Sequence, residues 1–401
     1  MVGFPSMADA VPVLWLKPGQ DTHLRNRHHS VFKPAILSFP DCPDGAIVEI
    51  KSSQGDFLCY ATLNRTAYIC ARAIAFEKGE PLEMLRRSIV RAIEMRRGFF
   101  AKEDTTACRL INAEGDGIPG LIVDKYGDVL VVQLTTLGMD HLREWVADLL
   151  VEVCKPGAIF EKSSGPARQK EGLGEEREGW LRNKGPDAVS VTERGMKLKI
   201  SLTGSQKTGF FLDQREMRSL VRSFSTGRTV LDCCSYVGGF SVSALLGGAL
   251  AADAVDYDKS AIIRAKEHVA LNGIDPKRFG AHGEDVFNFL RRKPYPRRYD
   301  FIVLDPPAFA KRSSDLEQAK KAYTDMNRLA LQILPPGGLL LTCSCSYQVD
   351  AALFQTIVFH AARQAKRGVR ILQRHRQAMD HPINLYHPEV DYLKSLLLWV
   401  E

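Results

Sequence analysis

The second half of the sequence predicts an α/β fold, a doubly wound parallel sheet with helices on both faces. Four short apolar runs there each precede a helical stretch: TVLDCC, AADAVD, YDFIVLD and LLLTCSC. The N-terminal part instead alternates strand-like runs with turn residues, as in AIVEIKSS and DFLCYATLN. We therefore predict a small β-rich domain at 1–78, a linker helix and an α+β middle domain at 79–200, and the doubly wound domain at 201–401.

Length and composition fit this division. A chain of 401 residues has room for two or three domains. Its 45% hydrophobic and 25% charged residues are typical of a soluble globular protein. Lysine and arginine outnumber aspartate and glutamate by 54 to 47, and this net charge of +7 permits a polyanionic partner without requiring one.

The cysteines and the apolar runs exclude several classes of protein. The nine cysteines form no Cys-x-x-Cys pair, which argues against a zinc site and against a disulfide framework. We predict reduced thiols and no metal. No run approaches the roughly 18 apolar residues that a membrane span needs, and no basic-then-apolar leader opens the chain. These patterns predict a cytoplasmic protein with no membrane partner.

The opening segment, residues 17–33, combines basic and aromatic side chains. Lys17, Arg25 and Arg27 lie between Trp15 and Phe32, a mixture suited to phosphates and stacked bases. We predict that the three basic residues contact RNA, although a solvated basic edge explains the same pattern equally well. The helix predicted in PLEMLRRSIVRAIEMRR is also basic and serves as a linker or as a further contact to an RNA backbone.

A loop suited to a nucleotide-like ligand follows the first strand of the doubly wound sheet. In LDCCSYVGGF, paired glycines after Asp232 allow a tight turn and close approach to the backbone. Asp256 ends the next strand, where an acid would meet ribose hydroxyls. Asp285, after a third strand, is a candidate for an adenine amino group or simply the N-cap of a helix.

Two further strands end in residues that could perform chemistry. Asp305 is followed by Pro306, Pro307 and Phe309, a rigid loop that could grip a flat base, although a plain turn is the alternative. The next strand ends in TCSCS, residues 342–346, which places a cysteine at the same sheet edge. A thiol there is a candidate nucleophile, while a small buried hydrophobe is the other interpretation.

These motifs together resemble the bacterial 23S ribosomal RNA (cytosine-C5)-methyltransferases that carry an N-terminal PUA domain. The resemblance covers nearly the whole chain. It implies a Rossmann-like class I methyltransferase domain, S-adenosylmethionine as the cofactor, and large-subunit ribosomal RNA or its precursor as the partner, with a possible homodimer. The segments that carry it are EGDGIPGLIVDKYGD, QKTGFFLDQR, LDCCSYVGGFS, LDPPAF, TCSCS, DHP and YLK.

The resemblance also assigns roles to individual residues. The cofactor would be held by Phe210, Asp213, Gln214, Arg215, Asp232, Ser235, Tyr236, Gly238, Asp256, Asp285, Asp305 and Pro306. The RNA would contact Lys17, Arg25, Arg27, Lys207, Pro307 and Phe309. The family's S-C-S cysteine falls on Cys345, which we predict to be the nucleophile, with Asp305 between methyl donor and base. Other 5-methylcytosine enzymes read T-C-S, which would select Cys343 instead.

Carbon 5 of cytosine is a poor nucleophile, so this chemistry calls for a thiolate that adds to carbon 6 first. The sequence does not identify the base that removes the proton. One rival hypothesis is methylation of a guanine nitrogen, because related enzymes carry a similar D-P-P-x-F loop and need no cysteine. Another is a non-catalytic RNA-binding factor of ribosome assembly that keeps the fold as a scaffold.

Overall fold

The computed structural model describes residues 11–174, 176–203, 207–310 and 312–401. They divide into two compact units. The first unit draws on Met1–Val191, Ile200–Phe210 and Met379–Val390, and the second on Thr192–Lys199, Phe211–Ala378 and Asp391–Glu401. The boundaries predicted at 78 and 200 therefore stay a prediction. Within the described ranges, no helix has the length and apolar character needed to cross a membrane.

The first unit opens with a six-stranded mixed sheet in the order β2-β6-β5-β4-β1-β3. In β4, buried residues alternate with partly buried ones, and Val48 and Ile50 belong to the core. A short helix, α1 (Thr22–Arg25), precedes β2. The strands are β1 (Val13–Leu16), β2 (Ser30–Phe32), β3 (Ile36–Ser38), β4 (Ile47–Lys51), β5 (Phe57–Leu63) and β6 (Ile69–Ala75).

A long helix and a second sheet complete the first unit. Helix α2 (Pro81–Phe100) starts at the N-cap Glu80 and buries Leu85, Ile89 and Ile93 at helical spacing. The sheet runs β11-β10-β9-β8-β7. A two-stranded ribbon, β12-β13, follows in the chain, and its segment Thr192–Lys199 belongs to the second unit. The remaining elements are β7 (Ala107–Asn112), β8 (Leu121–Tyr126), β9 (Val129–Leu134), α3 (Leu137–His141), α4 (Arg143–Cys154), β10 (Ala158–Ser163), α5 (Pro166–Lys170), β11 (Arg177–Arg182), β12 (Ala188–Glu193) and β13 (Met196–Ser201).

One arginine of α2 is not on the surface. The Arg96 side chain is fully buried and forms a paired ion contact with Asp116, at 2.7 and 2.8 Å. It also donates to the carbonyl of Asp380, and the Asp380 carboxylate accepts the backbone N–H of Arg109. The suggestion that the arginines of this helix contact RNA is therefore wrong for Arg96, because its charge is neutralised inside the unit.

The second unit is built on a seven-stranded sheet in the order β16-β15-β14-β17-β18-β20-β19. The first five strands are parallel, β20 pairs antiparallel with β18, and β19 pairs antiparallel with β20. The strands are β14 (Thr229–Cys233), β15 (Ala251–Asp256), β16 (Phe279–Gly283), β17 (Phe301–Leu304), β18 (Leu339–Ser344), β19 (Val369–His375) and β20 (Lys394–Val400). The helices are α6 (Arg215–Phe224), α7 (Gly239–Leu246), α8 (Lys259–Leu271), α9 (Val286–Arg291), α10 (Leu316–Ile333) and α11 (Ala351–Ala365).

Two central strands of this sheet, β17 and β18, are buried along their whole length. Every residue of β17, FIVL, is buried, as is every residue of β18, LLLTCS. Such continuous runs arise where helices cover both faces of a parallel sheet. Tyr323 of α10 and Phe354 of α11 pack into the same core as Leu340 of β18. The predicted doubly wound α/β domain is confirmed.

Candidate active site

The site is organised by the carboxyl edge of the parallel strands. Cys233 of β14 pairs with Leu304 of β17, and Leu304 pairs in turn with Thr342 of β18. Strands that run in parallel and in register end at the same edge, so the residues that follow them are brought together. Those residues are Cys234, Asp305 and Cys345, and Asp256 ends the neighbouring parallel strand β15.

The loop after β14 has an unusual backbone. Cys234, Tyr236 and Gly238 all adopt the left-handed region, with φ of 59°, 48° and 75°. This conformation is unfavourable for the first two residues and is concentrated at ligand-binding turns. A Cβ atom at Gly238 would lie 2.8 Å from the Cβ of Ala265, so α7 can start here only at glycine.

Asp256 at the end of β15 holds this loop in place. Its Oδ2 accepts the N–H of Tyr236 at 2.7 Å, and its Oδ1 accepts the N–H of Asp258 at 2.9 Å. The Ser235 hydroxyl beside it is buried and makes no hydrogen bond with any residue that the structure describes. A polar atom in this state is suited to a bound ligand, because buried polar groups normally have partners.

A line of contacts joins the D-P-P loop to the S-C-S loop. Gln214, in the turn before α6, donates from Nε2 to Oδ1 of Asp305 at 2.8 Å. The carbonyl of the next residue, Pro306, accepts the Cys345 thiol at 3.7 Å. Beside Gln214, the Asp213 carboxylate accepts the Tyr392 hydroxyl at 2.5 Å. The predicted carboxylate, Asp305, and the carbonyl that accepts the predicted nucleophile, Cys345, thus belong to neighbouring residues of one loop.

The two cysteines of the S-C-S segment differ sharply in exposure. Cys343 belongs to β18 and is fully buried, and this burial, with the Asp305 carboxylate nearby, raises the pKa of its thiol well above the ordinary value. Cys345 lies just past the end of the strand and is partly exposed. Since only an accessible thiolate can attack a base, this difference favours Cys345 as the nucleophile.

A buried tyrosine fixes the segment on which Cys345 lies. The Tyr323 hydroxyl from α10 is within hydrogen-bond distance of the Ser344 and Ser346 hydroxyls, at 3.1 and 2.9 Å. Ser346 Oγ also accepts the backbone N–H of Ala310, which follows the D-P-P loop. The Tyr323 ring packs against Phe309 with centroids 4.7 Å apart. Tyr323 was not predicted from the sequence, because nothing local marks it among the other apolar positions of its helix.

Comparison with known proteins identifies the family. A family model described as S-adenosylmethionine-dependent methyltransferase matches residues 170–389, and a PUA-like domain model matches residues 14–76. The ribosomal RNA large subunit methyltransferase I of Vibrio cholerae is 38% identical over 393 residues, covering 96% of this chain and 98% of the relative. Its namesake in Aeromonas salmonicida is 38% identical over 390 residues, with 96% and 98% covered.

The chain therefore belongs to the family of S-adenosylmethionine-dependent methyltransferases that includes these two relatives. A solved structure described as a SAM-dependent methyltransferase from Streptococcus mutans shares the fold, with a TM-score of 0.80 at 24% identity over 96% of this chain and 99% of that one. The resemblance, the class I fold with its PUA-like domain, and the cofactor S-adenosylmethionine are all confirmed. The strained glycine loop, the Ser235 hydroxyl and Asp256 fit that cofactor.

Other predicted residues of the methyltransferase's second unit have structural partners. The buried Arg215 guanidinium lies 3.4 Å from the Glu193 carboxylate, which also binds Arg218 through two contacts at 2.6 and 2.7 Å.

Asp285 is the N-cap of α9 and accepts the backbone N–H of Asn288 at 2.9 Å. The N-cap interpretation of Asp285 is therefore correct, while its contact with adenine stays a prediction. Phe211, which was not predicted, packs its ring against Tyr236 of the cofactor loop.

Five predicted residues lie in the first unit: Lys17, Arg25, Arg27, Lys207 and Phe210. Phe210 is buried, and its backbone N–H donates to the Tyr126 hydroxyl at 3.1 Å. Arg25 is exposed but already contacts the Asp21 and Asp56 carboxylates, each at 2.6 Å. Its charge is therefore less available to a phosphate than the sequence suggested. Lys17, Arg27 and Lys207 are exposed.

A cluster of imidazoles with metal-ligand spacing occurs in the first unit. The rings of His28 and His387 stack at 4.3 Å, and His28 Nε2 lies 3.4 Å from Glu389. However, the N–H of Ser30 donates to His28 Nδ1, so the ring proton belongs on Nε2, directed at the carboxylate. A metal would need that nitrogen unprotonated. We therefore interpret the cluster as hydrogen-bonded.

Asp232 of β14 provides a test of the electrostatics beneath the cofactor loop. It is fully buried and accepts the Ser241 N–H and hydroxyl at 2.9 and 2.8 Å, and burial raises its pKa from 3.8 to about 7. The folded state thus binds a proton that the unfolded chain has released, and stability falls as pH rises from about 4 to about 7. In the wild type, this group should lower the free energy of unfolding by about 3 kcal/mol between pH 5 and pH 8. We expect Asp232→Asn to remove that pH dependence, as measured by urea unfolding of the cofactor-free protein.

Asp253, on the neighbouring strand β15, is the matched control. Burial opposes its charge, but contacts with His282, Tyr299 and Arg297 outweigh that effect and lower its pKa. Asp253→Asn should therefore destabilise the protein at both pH values, because the carboxylate loses favourable contacts. An Asp232→Asn variant whose stability falls with pH as steeply as that of the wild type would contradict the account.

Proposed function

We propose that this methyltransferase converts cytosine to 5-methylcytosine in 23S ribosomal RNA, with Cys345 as the nucleophile. The observation that carries the proposal is the position of the partly exposed Cys345 thiol. It contacts the Pro306 carbonyl, directly after Asp305, at the sheet edge that also carries the strained loop and Asp256. A methylation of guanine nitrogen would need no thiol there.

The choice of substrate rests on the relatives. Relatives named ribosomal RNA large subunit methyltransferase I match this chain over nearly its full length and theirs. PUA-like domains are RNA-binding modules in the family that the sequence resembles, and the one here spans residues 14–76. We propose Lys17 and Arg27 as its phosphate contacts, together with Arg25 when released from its carboxylates. Lys207, which lies outside this domain, is proposed as a further contact with the RNA. A substrate of this kind places the enzyme in the cytoplasm.

We propose that the cofactor lies against the loop after β14. Ser235, Tyr236 and Gly238 would face its methionine portion, Asp256 its ribose and Asp285 its adenine. Asp213, Gln214, Arg215 and Pro306 would complete the site, with Asp232 supporting the loop. The predicted cofactor contact of Phe210, a residue of the first unit, stays a prediction. The bound cofactor supplies an electrophilic methyl group on a sulfonium.

The side chains of the site would then act through a covalent bond between enzyme and cytosine. The Cys345 thiolate forms a bond to carbon 6 of cytosine, and the π electrons of the ring move to carbon 5, which becomes nucleophilic. Asp305, oriented by Gln214, hydrogen-bonds the ring edge and stabilises the polarised base. After carbon 5 has taken the methyl group and lost its proton, the ring double bond reforms and the sulfur–carbon bond breaks. Pro307 and Phe309 would hold the base, which must be single-stranded or flipped out.

The reaction itself can be tested directly. Incubation with tritium-methyl S-adenosylmethionine and unmodified bacterial 23S ribosomal RNA, followed by nucleoside analysis, should give labelled 5-methylcytosine. Labelled methylguanine would establish the nitrogen-methylating alternative. No label in any RNA, together with tight cofactor binding, would establish a non-catalytic scaffold.

The two cysteines give a matched pair of variants. We expect Cys345→Ala to lower the methylation rate by a factor on the order of 10³ or more, because no thiolate can then activate carbon 5. Cys343→Ala removes only a buried sulfur from β18 and should change the rate less than about fivefold. Both should bind the cofactor normally in calorimetric titrations. Near-normal methylation by Cys345→Ala would rule out the covalent route.

A further inference from the structure

A buried lysine lies next to the segment that carries Cys345. Lys394 is the first residue of β20 and pairs in register with Ser344 of β18. Only 5% of Lys394 is exposed. Its Nζ donates to the carbonyl of Ser346 and to that of Tyr392, each at 2.7 Å. An ammonium carries three protons, so these two bonds leave one for a further acceptor.

The charge of Lys394 has no carboxylate as its direct partner. Among the residues that the structure describes, Lys394 forms no ion pair with a carboxylate, and its Nζ bonds are those to the two carbonyls. A buried ammonium without a counter-ion is costly, and carbonyl dipoles compensate for it only in part. A second group that can carry negative charge is therefore expected nearby. Cys345, whose chain neighbour Ser346 accepts one of the two bonds, is in the right place.

The charged groups around Lys394 also support a pairing between its ammonium and the Cys345 sulfur. Burial lowers its pKa from 10.5 to about 8, and the strongest opposing influence is the negative charge of the Cys345 sulfur. The Asp350 carboxylate also favours the ammonium, and the Arg376 guanidinium disfavours it. Arg376 itself forms an ion pair with Asp391. Of the groups that face Lys394, the sulfur of Cys345 is thus the one with the largest favourable effect on its charge.

We propose that Lys394 is a positioning residue for methyl transfer, whose ammonium holds the Cys345 sulfur as the thiolate that attacks the base. The inference rests on the proposed function, in which Cys345 is the nucleophile. The Pro306 carbonyl, at 3.7 Å, accepts a hydrogen bond only from the neutral thiol and so favours the unreactive form. The Lys394 ammonium, bonded to the next residue, Ser346, supplies the opposite preference.

This pairing makes the reactivity of Cys345 depend on two protons. The thiol must lose its proton and Lys394 must keep its own, so the thiolate and the ammonium are stabilised together as a pair. Loss of the ammonium would remove a positive charge from beside the Cys345 segment, while the Asp350 carboxylate, which also acts on Lys394, would stay. Deprotonation of Cys345 should then require a higher pH.

Thiol alkylation measures this effect without any turnover. Wild type and Lys394→Met are treated with iodoacetamide between about pH 6 and pH 10, and modification of the Cys345 peptide is quantified by mass spectrometry. We expect the pH midpoint for Cys345 to rise by about one unit or more in Lys394→Met, with roughly tenfold slower alkylation near neutral pH. Lys394→Arg, which keeps the charge, should restore most of the rate.

Two controls separate charge from general disturbance. Cys42, in the first unit and partly exposed, is an internal reference whose midpoint should not move. Lys162 is another buried lysine, also in the first unit, which donates to the Leu202 carbonyl. Lys162→Met should leave the Cys345 midpoint unchanged. If Lys394→Met does not fold, Lys394→Gln takes its place.

The outcomes distinguish this inference from the function on which it rests. An unchanged Cys345 midpoint in a folded Lys394→Met or Lys394→Gln protein overturns the role of Lys394, even if Cys345→Ala is inactive. A wild-type midpoint for Cys345 that is no lower than that for Cys42 overturns it as well, and this result needs no variant. Active Cys345→Ala overturns the proposed function, whatever the alkylation shows.

Discussion

The in-register parallel pairing of β14, β17 and β18 is the constraint on which the rest of the site depends. It aligns Cys233 with Leu304 and Leu304 with Thr342, so that β14 and β17 end at one level and β18 runs two residues further. A loop for the cofactor, a carboxylate and a thiol are thereby brought together from parts of the chain that lie far apart in sequence. A slip of one residue would turn every side chain of a strand to the opposite face of the sheet.

At that edge, the surroundings of each group give side chains of the same type a different exposure or a different pKa. Cys343 and Cys345 are two residues apart, but β18 ends between them, so one thiol is buried and the other is partly exposed. Burial raises the pKa of Asp232, whereas Asp253 on the next strand has tyrosine and arginine partners that lower its own. The position of each group relative to the strand end and to cationic partners decides whether it can carry charge.

The sequence predicts those parts of the site that depend on local pattern. Strand ends, the glycine turn and the D-P-P loop are visible because apolar runs and turn residues mark them. Contacts made by tertiary packing were not predictable in this way. Gln214 reaches Asp305, and Lys394 reaches the Cys345 segment, only after distant parts of the chain have folded together. For the same reason Arg96, which the sequence shows only as one more basic residue of an amphipathic helix, forms a buried ion pair in the structure.

The central claim is that Cys345 forms a covalent bond with cytosine, and a fluorinated substrate tests it most directly. In RNA that contains 5-fluorocytidine, carbon 5 bears no proton to remove, so the enzyme cannot eliminate its thiol after methyl transfer. With tritium-methyl S-adenosylmethionine, the account predicts a labelled protein–RNA adduct that survives denaturing electrophoresis and maps to Cys345, and no adduct with Cys345→Ala. The absence of any adduct from a preparation that methylates ordinary 23S ribosomal RNA, or an adduct at another residue, would contradict it.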